Sequence, residues 1–385
     1  MPSQRPYLMV AIIAILALEV HFFGANNDLK LLFPIGVGMG LALYHAAFGF
    51  TSAYRRAIVD KDLSGVSAQM IMLAVAMILF APILANGEIF GHRVGGAVAP
   101  VGVSMAFGAF LFGVGMQLAS GCGSGTLFTA GGGNARMLVV LLFFCVGGFW
   151  GSLNLHLWQT LPDMGSVSLG HKLGWKTAIG GQLAALLVVY LGLRRLGGRN
   201  HRPLWFNDKF RPIHLLAGPW PLLLSALLLA VFNWLTLLIA GHPWSVTWAF
   251  ALWGAKAAAL VGWDSMSSGF WTGGFQDRAF NSSVLNDVTS VMNFGIMLGA
   301  FLAASLSGKI APRLNMGMRP FISAVIGGLM LGYGARLGYG CNIGAFFSGV
   351  ASTSLHGWVW IIAALIGNWA GIKLRPRFHL SNATT

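Results

Sequence analysis

Two cysteines in matching glycine-rich stretches are the residues of this chain best suited to chemistry. Cys122 lies in GCGSG at 121–125, Cys341 lies in GCNIG at 340–344, and each stretch closes a long apolar run. In a low-dielectric site a thiol favours its neutral form, so it neither repels an anion nor binds it as a charge. A neutral thiol is a weak hydrogen-bond donor, and its soft sulfur suits contact with sulfur or selenium. Weak donors are typical of a path that replaces part of a substrate's hydration without holding the substrate.

The surroundings of the two cysteines argue against metal and redox chemistry. Neither has a second Cys or His at the spacing of zinc ligands, so we expect no metal site. A redox enzyme would need a resolving cysteine, a CxxC pair or a cofactor fingerprint, and the sequence contains none, so we expect no cofactor. The third cysteine, Cys145, lies in the apolar run LLFFCV, and we interpret it as a small buried hydrophobic residue.

The two cysteines are also the matched centres of an internal repeat. A shift of 219 positions leads, without a gap, to the same residue type from each of Gly108, Gly113, Gly115, Leu118, Gly121, Cys122, Gly125, Phe128, Gly148 and Trp150. Such a repeat predicts two similar halves of the protein. If the halves are inverted and their helices are interrupted, the substrate site is expected near the middle of the bilayer.

The composition indicates that these elements lie in a membrane. Hydrophobic residues make up 56% of the chain and charged residues 9%, whereas soluble domains have roughly 25% charged residues; the mean hydropathy is +0.72. A transmembrane helix needs about 20 apolar residues. The runs near that length are 7–24, 31–50, 65–85, 99–120, 137–155, 177–193, 219–240, 285–305, 320–339 and 357–372. With the shorter run 246–262, the sequence predicts an all-α polytopic membrane protein with nine to eleven transmembrane helices plus short re-entrant helices.

The basic residues indicate the topology. Lys and Arg total 24 against 10 Asp and Glu. They cluster at 55–61, 194–211 and 373–377, which the positive-inside rule places at the cytoplasmic face. The scarcity of acids also leaves the mouths of any path positive, which would concentrate an anion there. Nucleic acid is not an expected partner, because the basic residues lie at the ends of apolar runs and not on a separate polar domain.

The polar stretch 196–218 is the predicted cytoplasmic linker between two membrane halves, 1–195 and 219–385. With the basic loops on the cytoplasmic side, the run before Cys122 heads inward and the run before Cys341 heads outward. The repeat is therefore predicted to be inverted, with the two cysteines facing one another across the centre.

The glycines have two interpretations. Next to the cysteines they would let a helix unwind and expose backbone N–H groups, and a short helix that restarts at Thr126 or Ala345 would point its N-terminus at a thiol and favour an anion. The alternative is close helix packing through small residues, which we favour for the glycines within the runs, namely Gly113, Gly115, Gly332 and Gly334.

Three further polar residues in apolar surroundings are candidates for the path. Gln117 and Arg336 occupy equivalent positions of the repeat, one turn before each cysteine. A charged residue inside a membrane is costly, so Arg336 is a candidate for neutralising an anion, with a structural arginine as the alternative. Lys256 is a candidate second cation on the path, although an anchor at a helix end is the favoured interpretation.

Four stretches of the sequence resemble the YeeE/YedE membrane family, and the resemblance covers nearly the whole chain. They are GVGMQLASGCGSGTL at 113–127, PWSVT through ALWGAK at 243–256, GARLGYGCN at 334–342 and SLH at 354–356. The resemblance implies an hourglass-shaped thiosulfate uptake protein of the bacterial inner membrane, in which thiols along a central path hydrogen-bond the passing ion. Carried over by position, the implied site residues are Cys122 and Cys341 with the adjoining Gly121, Gly123, Gly340 and Asn342.

The resemblance also implies a partner and reveals one departure. Family members are often found with a small soluble TusA-like or rhodanese-like sulfur carrier at the cytoplasmic face, where the basic loop 194–211 would be its landing site. Members typically have a third site cysteine in a stretch like FGFTSAYR at 48–55, and here Gly49 occupies the matching position. A relay of three thiols is thereby reduced to two, so slower transport or a different cargo is expected.

The leading hypothesis is a transporter or channel for thiosulfate or a related sulfur-containing anion. A selenium or other sulfur compound is an alternative cargo. A second hypothesis is a membrane thiol enzyme that relays sulfane sulfur to a soluble carrier, and a third is a receptor without transport. The lack of a catalytic base, a metal site and a soluble domain argues against the enzyme.

Overall fold

A computed structural model of the chain, which describes residues 4–25, 28–206, 211–310 and 316–382, shows a helical bundle with very little sheet. Residues 207–210 of the predicted linker, with its Lys209, lie outside the described residues. The helices up to the linker are α1 (Arg5–Ala25), α2 (Leu29–His45), α3 (Phe50–Val59), α4 (Ser64–Asn86), α5 (Val103–Ala119), α6 (Gly123–Gly131), α7 (Ala135–Leu153), α8 (Leu155–Trp158), α9 (Leu169–Leu173) and α10 (Trp175–Arg195). Those after it are α11 (His214–Ala217), α12 (Leu222–Ala240), α13 (Thr247–Leu260), α14 (Gly274–Asn281), α15 (Val288–Leu306), α16 (Met318–Leu337), α17 (Ser348–Ala351) and α18 (Leu355–Leu374).

Short segments occupy several of the connections. One is π-helical, Asn342–Phe347, and three are 3₁₀-helical, Ser265–Ser267, Val284–Asn286 and Arg375–Phe378. Strands β1 (Glu88–Ile89) and β2 (His92–Arg93) pair antiparallel, with Ile89 opposite His92. Strands β3 (Pro100–Gly102) and β4 (Asp163–Ser166) also pair antiparallel, with Pro100 opposite Ser166 and an irregular register.

Within the described residues, 10 helical stretches are long and apolar enough to cross a membrane, and each overlaps one of the predicted runs. This confirms the prediction of an all-α polytopic membrane protein. The shorter run 246–262 forms α13, which has 14 residues. Three of the membrane-length stretches contain an interruption, at the ends of α2, α5 and α16.

The helix ends follow from local sequence signals. Asn134 precedes α7 and Asp287 precedes α15, and each side chain accepts a hydrogen bond from a backbone N–H of the first turn, at 3.2 and 2.8 Å. α4 and α12 end at Gly87 and Gly241, whose φ values of 72° and 71° are left-handed and suit glycine. The starts of α7 and α15 and the ends of α4 and α12 therefore coincide with local capping signals.

The internal repeat appears in the order of the helices. α1 to α5 have counterparts 219 positions later in α12 to α16, α6 corresponds to the π-helical segment with α17, and α7 corresponds to α18. The equivalent helices α5 and α16 are antiparallel, since Gly108 packs against Gly334 and Gly338 whereas Ala119 packs against Gly327. Antiparallel equivalents are what an inverted repeat requires. The boundaries of the two halves and the hourglass outline stay predictions.

Small residues let the central helices approach closely. A Cβ built on Gly113 of α5 would lie 2.1 Å from the carbonyl oxygen of Ala364 in α18, and one on Gly332 of α16 would lie 2.2 Å from that of Phe144 in α7. Gly334 packs in the same way between α16 and α5. Contacts without intervening side chains are typical of helix interfaces in membranes.

The basic loops gather at one end of the bundle. Leu63 N–H donates to Arg199 O at 2.8 Å, and Arg199 N–H donates to Lys61 O at 3.0 Å, so the loop after α3 docks on the loop after α10. Arg202 Nε lies 3.5 Å from Asp62 Oδ2. α5 ends at this end of the bundle and α16 begins there. That this end faces the cytoplasm stays a prediction of the positive-inside rule. We refer to it below as the basic end.

The close helix contacts predict opposite effects for two glycine-to-alanine changes. Gly113→Ala should lower the free energy of unfolding by about 1–3 kcal/mol, because the new methyl group must push α5 away from α18. The control, Gly192→Ala in α10, meets no atom within 4 Å and should be neutral or stabilising by about 0.5–1 kcal/mol. Thermal unfolding of the purified variants in detergent measures both. Equal midpoints would contradict the tight α5–α18 contact.

Candidate functional site

Each motif cysteine follows the interruption of a long helix. α5 is followed by Ser120, whose φ is 63°, and α16 is followed after Gly338 by Tyr339, whose φ is 56°. These are equivalent positions of the repeat, and a left-handed backbone is uncommon for residues other than glycine. Gly340 comes next with φ of 143°, which requires glycine. The same turn therefore presents Cys122 and Cys341 in the two halves.

Both cysteines cap the short helix that follows them. Cys122 Sγ accepts a hydrogen bond from Gly125 N–H at 3.4 Å, and Cys341 Sγ accepts one from Ile343 N–H at 3.4 Å. Ser124 Oγ also lies 3.6 Å from Cys122 Sγ. Each helix restarts directly after its cysteine, three residues earlier than expected, because the cysteine itself occupies the N-cap position. A thiol that accepts through a sulfur lone pair keeps its hydrogen, so each S–H can donate to another group.

The two motifs meet inside the protein. A Cβ built on Gly123 would lie 3.1 Å from Cys341 Sγ, so glycine here leaves the thiol its space. Cys122 is 1% exposed and Cys341 is 0% exposed. The side-chain amide of Asn342 donates to the Tyr54 hydroxyl at 3.3 Å, and its Oδ1 is buried with no partner among the described residues. Two thiols and an amide thus form a small, water-excluded polar centre.

The irregular stretch 243–246 passes beside this polar centre. Val246 Cγ1 would lie 3.4 Å from a Cβ on Gly123, and Ser245 Oγ would lie 3.6 Å from a Cβ on Gly344. The stretch therefore contacts both motifs at once. Its serine, which was not among the candidates from the sequence, adds a hydroxyl next to the motif of Cys341.

Buried asparagines hold the stretch 243–246 in place. Asn233 in α12 accepts a hydrogen bond from Trp244 N–H at 2.8 Å, and Asn293 in α15 donates one to Val246 O at 3.0 Å. Both asparagines are 0% exposed. Sequence reasoning missed them, although an asparagine inside an apolar helix is costly unless it is hydrogen bonded, and this cost is the signal that would have identified them.

Gln117 lies away from the polar centre and connects three helices. Its Nε2 donates to Asn368 Oδ1 of α18 at 2.7 Å and to the carbonyl of Thr51 in α3 at 3.2 Å, while its Oε1 accepts from Arg55 at 3.4 Å. All of these partners are protein groups. The structure therefore places Gln117 as a link between α3, α5 and α18.

Arg336 lies at the opposite end of the antiparallel α5–α16 pair from Gln117. Its guanidinium lies over the ring of Phe270, 5.1 Å from the ring centroid, and its Nε is buried without a partner among the described residues. Phe270 also lines a polar cavity of about 520 Å³ together with Ser152, His156 and Gln159. A half-buried cation thus lies beside a polar opening at the end of the bundle away from the basic loops.

Lys256 is held by the end of a helix. Its Nζ donates to the carbonyls of Phe280 and Ser282 at 2.5 and 2.7 Å, which satisfies the last turn of α14. Of the remaining predicted residues, Gly121 lies beside Thr126, and Gly340 forms the turn before Cys341. The structure therefore brings together Cys122, Gly123, Cys341 and Asn342, and it separates Gln117, Arg336 and Lys256 from them.

Gly49, where the resemblance of the sequence implies a third cysteine, is close to this centre. It caps α3 with an extended backbone, φ −113° and ψ 127°, which any residue can adopt. The backbone of Phe50, the next residue, faces the Cys122 thiol. A Cβ at position 49 would meet Ser52 Oγ at 3.0 Å and otherwise only Ala47 O at 4.0 Å. A side chain at position 49 would thus lie beside the hydroxyl of Ser52.

Known proteins resemble this chain over different lengths. The thiosulfate transporter TsuA of Spirochaeta thermophila is 26% identical over 358 residues, which cover 87% of this chain and 95% of the relative. TsuA of Escherichia coli K12 is 22% identical over 91% of this chain and 96% of the relative. The probable transporter YedE of Escherichia coli K12 is 35% identical over 144 residues, and the match spans only 35% of that relative's length.

The family is shown by a profile match that includes the whole polar centre. The profile described as sulphur transport matches residues 45–370, which contain both cysteine motifs, the stretch 243–246 and Gly49. The match extends from the last residue of α2 into α18. The chain therefore belongs to the sulphur transport family, which includes the YeeE and YedE proteins.

Proposed function

We propose that this protein carries thiosulfate or a related sulfur-containing anion across the inner membrane of a bacterium, and that the thiols of Cys122 and Cys341 donate hydrogen bonds to the ion on the way. The family membership and the two TsuA relatives support the substrate class. A selenium compound of similar shape and charge is the alternative cargo.

The observation that carries the proposal is the meeting of the two capped thiols. Each sulfur accepts a backbone hydrogen bond and keeps its S–H available, and the two motifs contact each other in a site without solvent. Neutral donors in such a site stabilise a passing anion through hydrogen bonds, without the strong attraction of a full opposite charge. The orphan Oδ1 of Asn342 adds an acceptor for a proton-bearing or partly hydrated form of the cargo.

The first prediction concerns the two thiols. Cys122→Ala and Cys341→Ala should each lower thiosulfate uptake about fivefold or more, because each removes a hydrogen-bond donor worth about 1 kcal/mol. Serine at either position should lower uptake less, because it keeps a donor. Uptake of labelled thiosulfate into proteoliposomes measures the effect, and Cys145→Ala, which changes a cysteine outside both motifs, is the matched control.

Two outcomes would separate the competing hypotheses. Uptake that survives both alanine changes would rule out the thiol path. In the thiol enzyme, the outer sulfur of thiosulfate would bond to a cysteine thiolate and sulfite would leave, so a persulfide on Cys122 or Cys341 that turns over would favour the enzyme. Saturable binding without flux in vesicles would identify a receptor.

The second prediction restores the third thiol. Gly49→Cys should raise the uptake rate about twofold to fivefold, because a further donor of about 0.5–1 kcal/mol would then stand at the start of α3. The extended backbone at this position accepts a side chain without strain. Gly49→Ala is the control, since it adds the Cβ without the thiol. An equal rate in both variants would show that two thiols suffice.

We further propose that a TusA-like or rhodanese-like sulfur carrier docks at the basic end. Arg194, Arg195 and Arg199 are exposed there. Changing Arg194 and Arg195 to glutamine should weaken binding of a purified carrier about threefold to tenfold at low salt, since surface charges act through a screened field. Arg93→Gln at the other end of the bundle is the control. Unchanged binding in a titration against the purified carrier would end this proposal.

A further inference from the structure

Three arginines from three different elements converge on the last turn of α5. Arg375, in the segment after α18, donates to Gln117 O at 2.6 Å and to Ser120 Oγ at 3.0 Å. Arg136 of α7 donates to the carbonyls of Leu118 and Ala119 at 2.7 and 2.8 Å. Arg55 of α3 reaches the Gln117 side chain at 3.4 Å. We call these three residues the arginine cluster.

The positive charge of the arginine cluster is only partly balanced. Among the described residues, no hydrogen bond or salt bridge joins any of the three guanidinium groups to a carboxylate. Arg55 has Arg56 and Asp60 as electrostatic neighbours, and their opposite charges offset each other. The C-terminus of α5 contributes roughly half a negative charge against three full positive charges. A site with this excess is suited to hold an anion.

Two of the guanidinium groups retain unused donors. Arg375 is 4% exposed, and its Nε has no partner among the described residues. Arg55 Nε is also buried without a partner. A buried guanidinium donor left without a partner costs free energy, and a guanidinium fork matches the oxygens of a tetrahedral oxyanion. The unpaired donors therefore point to an oxyanion ligand.

The equivalent helix end in the second half shows that this cluster is not needed for the interruption itself. The positions equivalent to Arg55, Arg136 and Arg375 are Gly274, Leu355 and His156. α16 nevertheless ends in the same left-handed turn as α5. Helix termination alone therefore does not explain the three arginines, and the two ends of the path differ strongly in charge.

The arginine cluster adjoins the polar centre. Ser120, which Arg375 contacts, lies two residues before Cys122. Tyr54, which precedes Arg55, accepts the hydrogen bond from Asn342. Met137, which follows Arg136, has its Sδ 3.4 Å from a Cβ built on Gly121. Arg55 and Arg136 are thus each next to a residue that contacts a cysteine motif, and Arg375 contacts a residue two positions before Cys122.

We propose that Arg55, Arg136 and Arg375 form a holding site for a doubly charged sulfur oxyanion at the basic end of the path, beyond Cys122. The inference rests on the proposed function and adds a second binding site for the same ion. Arg55 and Arg375 bind the oxygens of the ion through their unpaired donors, and Arg136 adds a positive charge beside them. The thiols contact the sulfur of the ion as it passes. Because the equivalent positions of the other half hold Gly274, Leu355 and His156 in place of the three arginines, the ion is drawn toward the basic end.

Equilibrium binding of labelled sulfate and thiosulfate to the purified full chain tests the holding site. Arg55→Gln and Arg375→Gln should each raise the dissociation constants about tenfold or more, since a charge-assisted hydrogen bond is lost. Arg136→Gln should raise them about threefold, since it removes only a neighbouring positive charge. The lysine variants should bind roughly threefold more weakly than the unchanged protein, because they keep the charge and lose the fork. Arg377→Gln is the matched control, since Arg377 is an exposed arginine two residues from Arg375.

Two further experiments distinguish loss of the holding site from loss of folding and from loss of transport. Thermal unfolding identifies the variants that do not fold. If the protein needs Arg136 and Arg375 to bind the backbone carbonyls of α5, those variants will not fold. Binding to Arg55→Gln, which removes no hydrogen bond to a backbone carbonyl, then tests the holding site. Binding is also measured in the double variant with Cys122→Ala and Cys341→Ala, which removes the thiols and keeps the arginine cluster. Failure of the proposed function would appear as absent flux in the unchanged protein, so the two proposals are tested separately. Folded arginine variants with unchanged dissociation constants would overturn the holding site and leave the cluster a helix cap.

Discussion

A backbone group freed inside a membrane must find its partner within the protein, and the interrupted helices α5 and α16 depend on this constraint. At the end of α5 the carbonyls are taken by Arg136, Arg375 and the hydroxyl of Ser323, which donates to Leu118 O at 2.8 Å. On the other side of each interruption the thiols accept from the first N–H groups of the next helix. The cysteines are therefore structural caps as well as candidate contacts for an ion.

Close helix packing brings the two interruptions together. Carbonyl oxygens of neighbouring helices occupy the space that a side chain would need at Gly113 and Gly332, so α5 with α18 and α16 with α7 form two tight parallel pairs. The two pairs are joined by the antiparallel contact of α5 with α16. In this arrangement the segments that follow α5 and α16 meet between the two pairs, where Gly123 faces the sulfur of Cys341.

Charge is distributed unequally along the molecule. The polar centre between the halves has neutral donors, whereas the basic end has the arginine cluster and the exposed arginines of the loop after α10. At the other end, Arg336 lies over Phe270, which lines the polar cavity. Neutral donors in the middle with cations at the ends suit the passage of an anion, because attraction is strongest where the ion meets water and weakest where it must move on.

The sequence alone determined the membrane spans, the repeat and the pair of cysteines, because hydrophobic length and spacing are local properties of the chain. It also placed Cys122 and Cys341 among their adjoining residues. It did not reveal that Gln117 bonds inside the protein, that Lys256 satisfies α14, or that Arg55, Arg136 and Arg375 meet at one helix end. Those partners lie far apart along the chain, so only the packing of the helices decided which groups each side chain contacts. That packing balances close contact between helices against the need of every buried polar group for a partner.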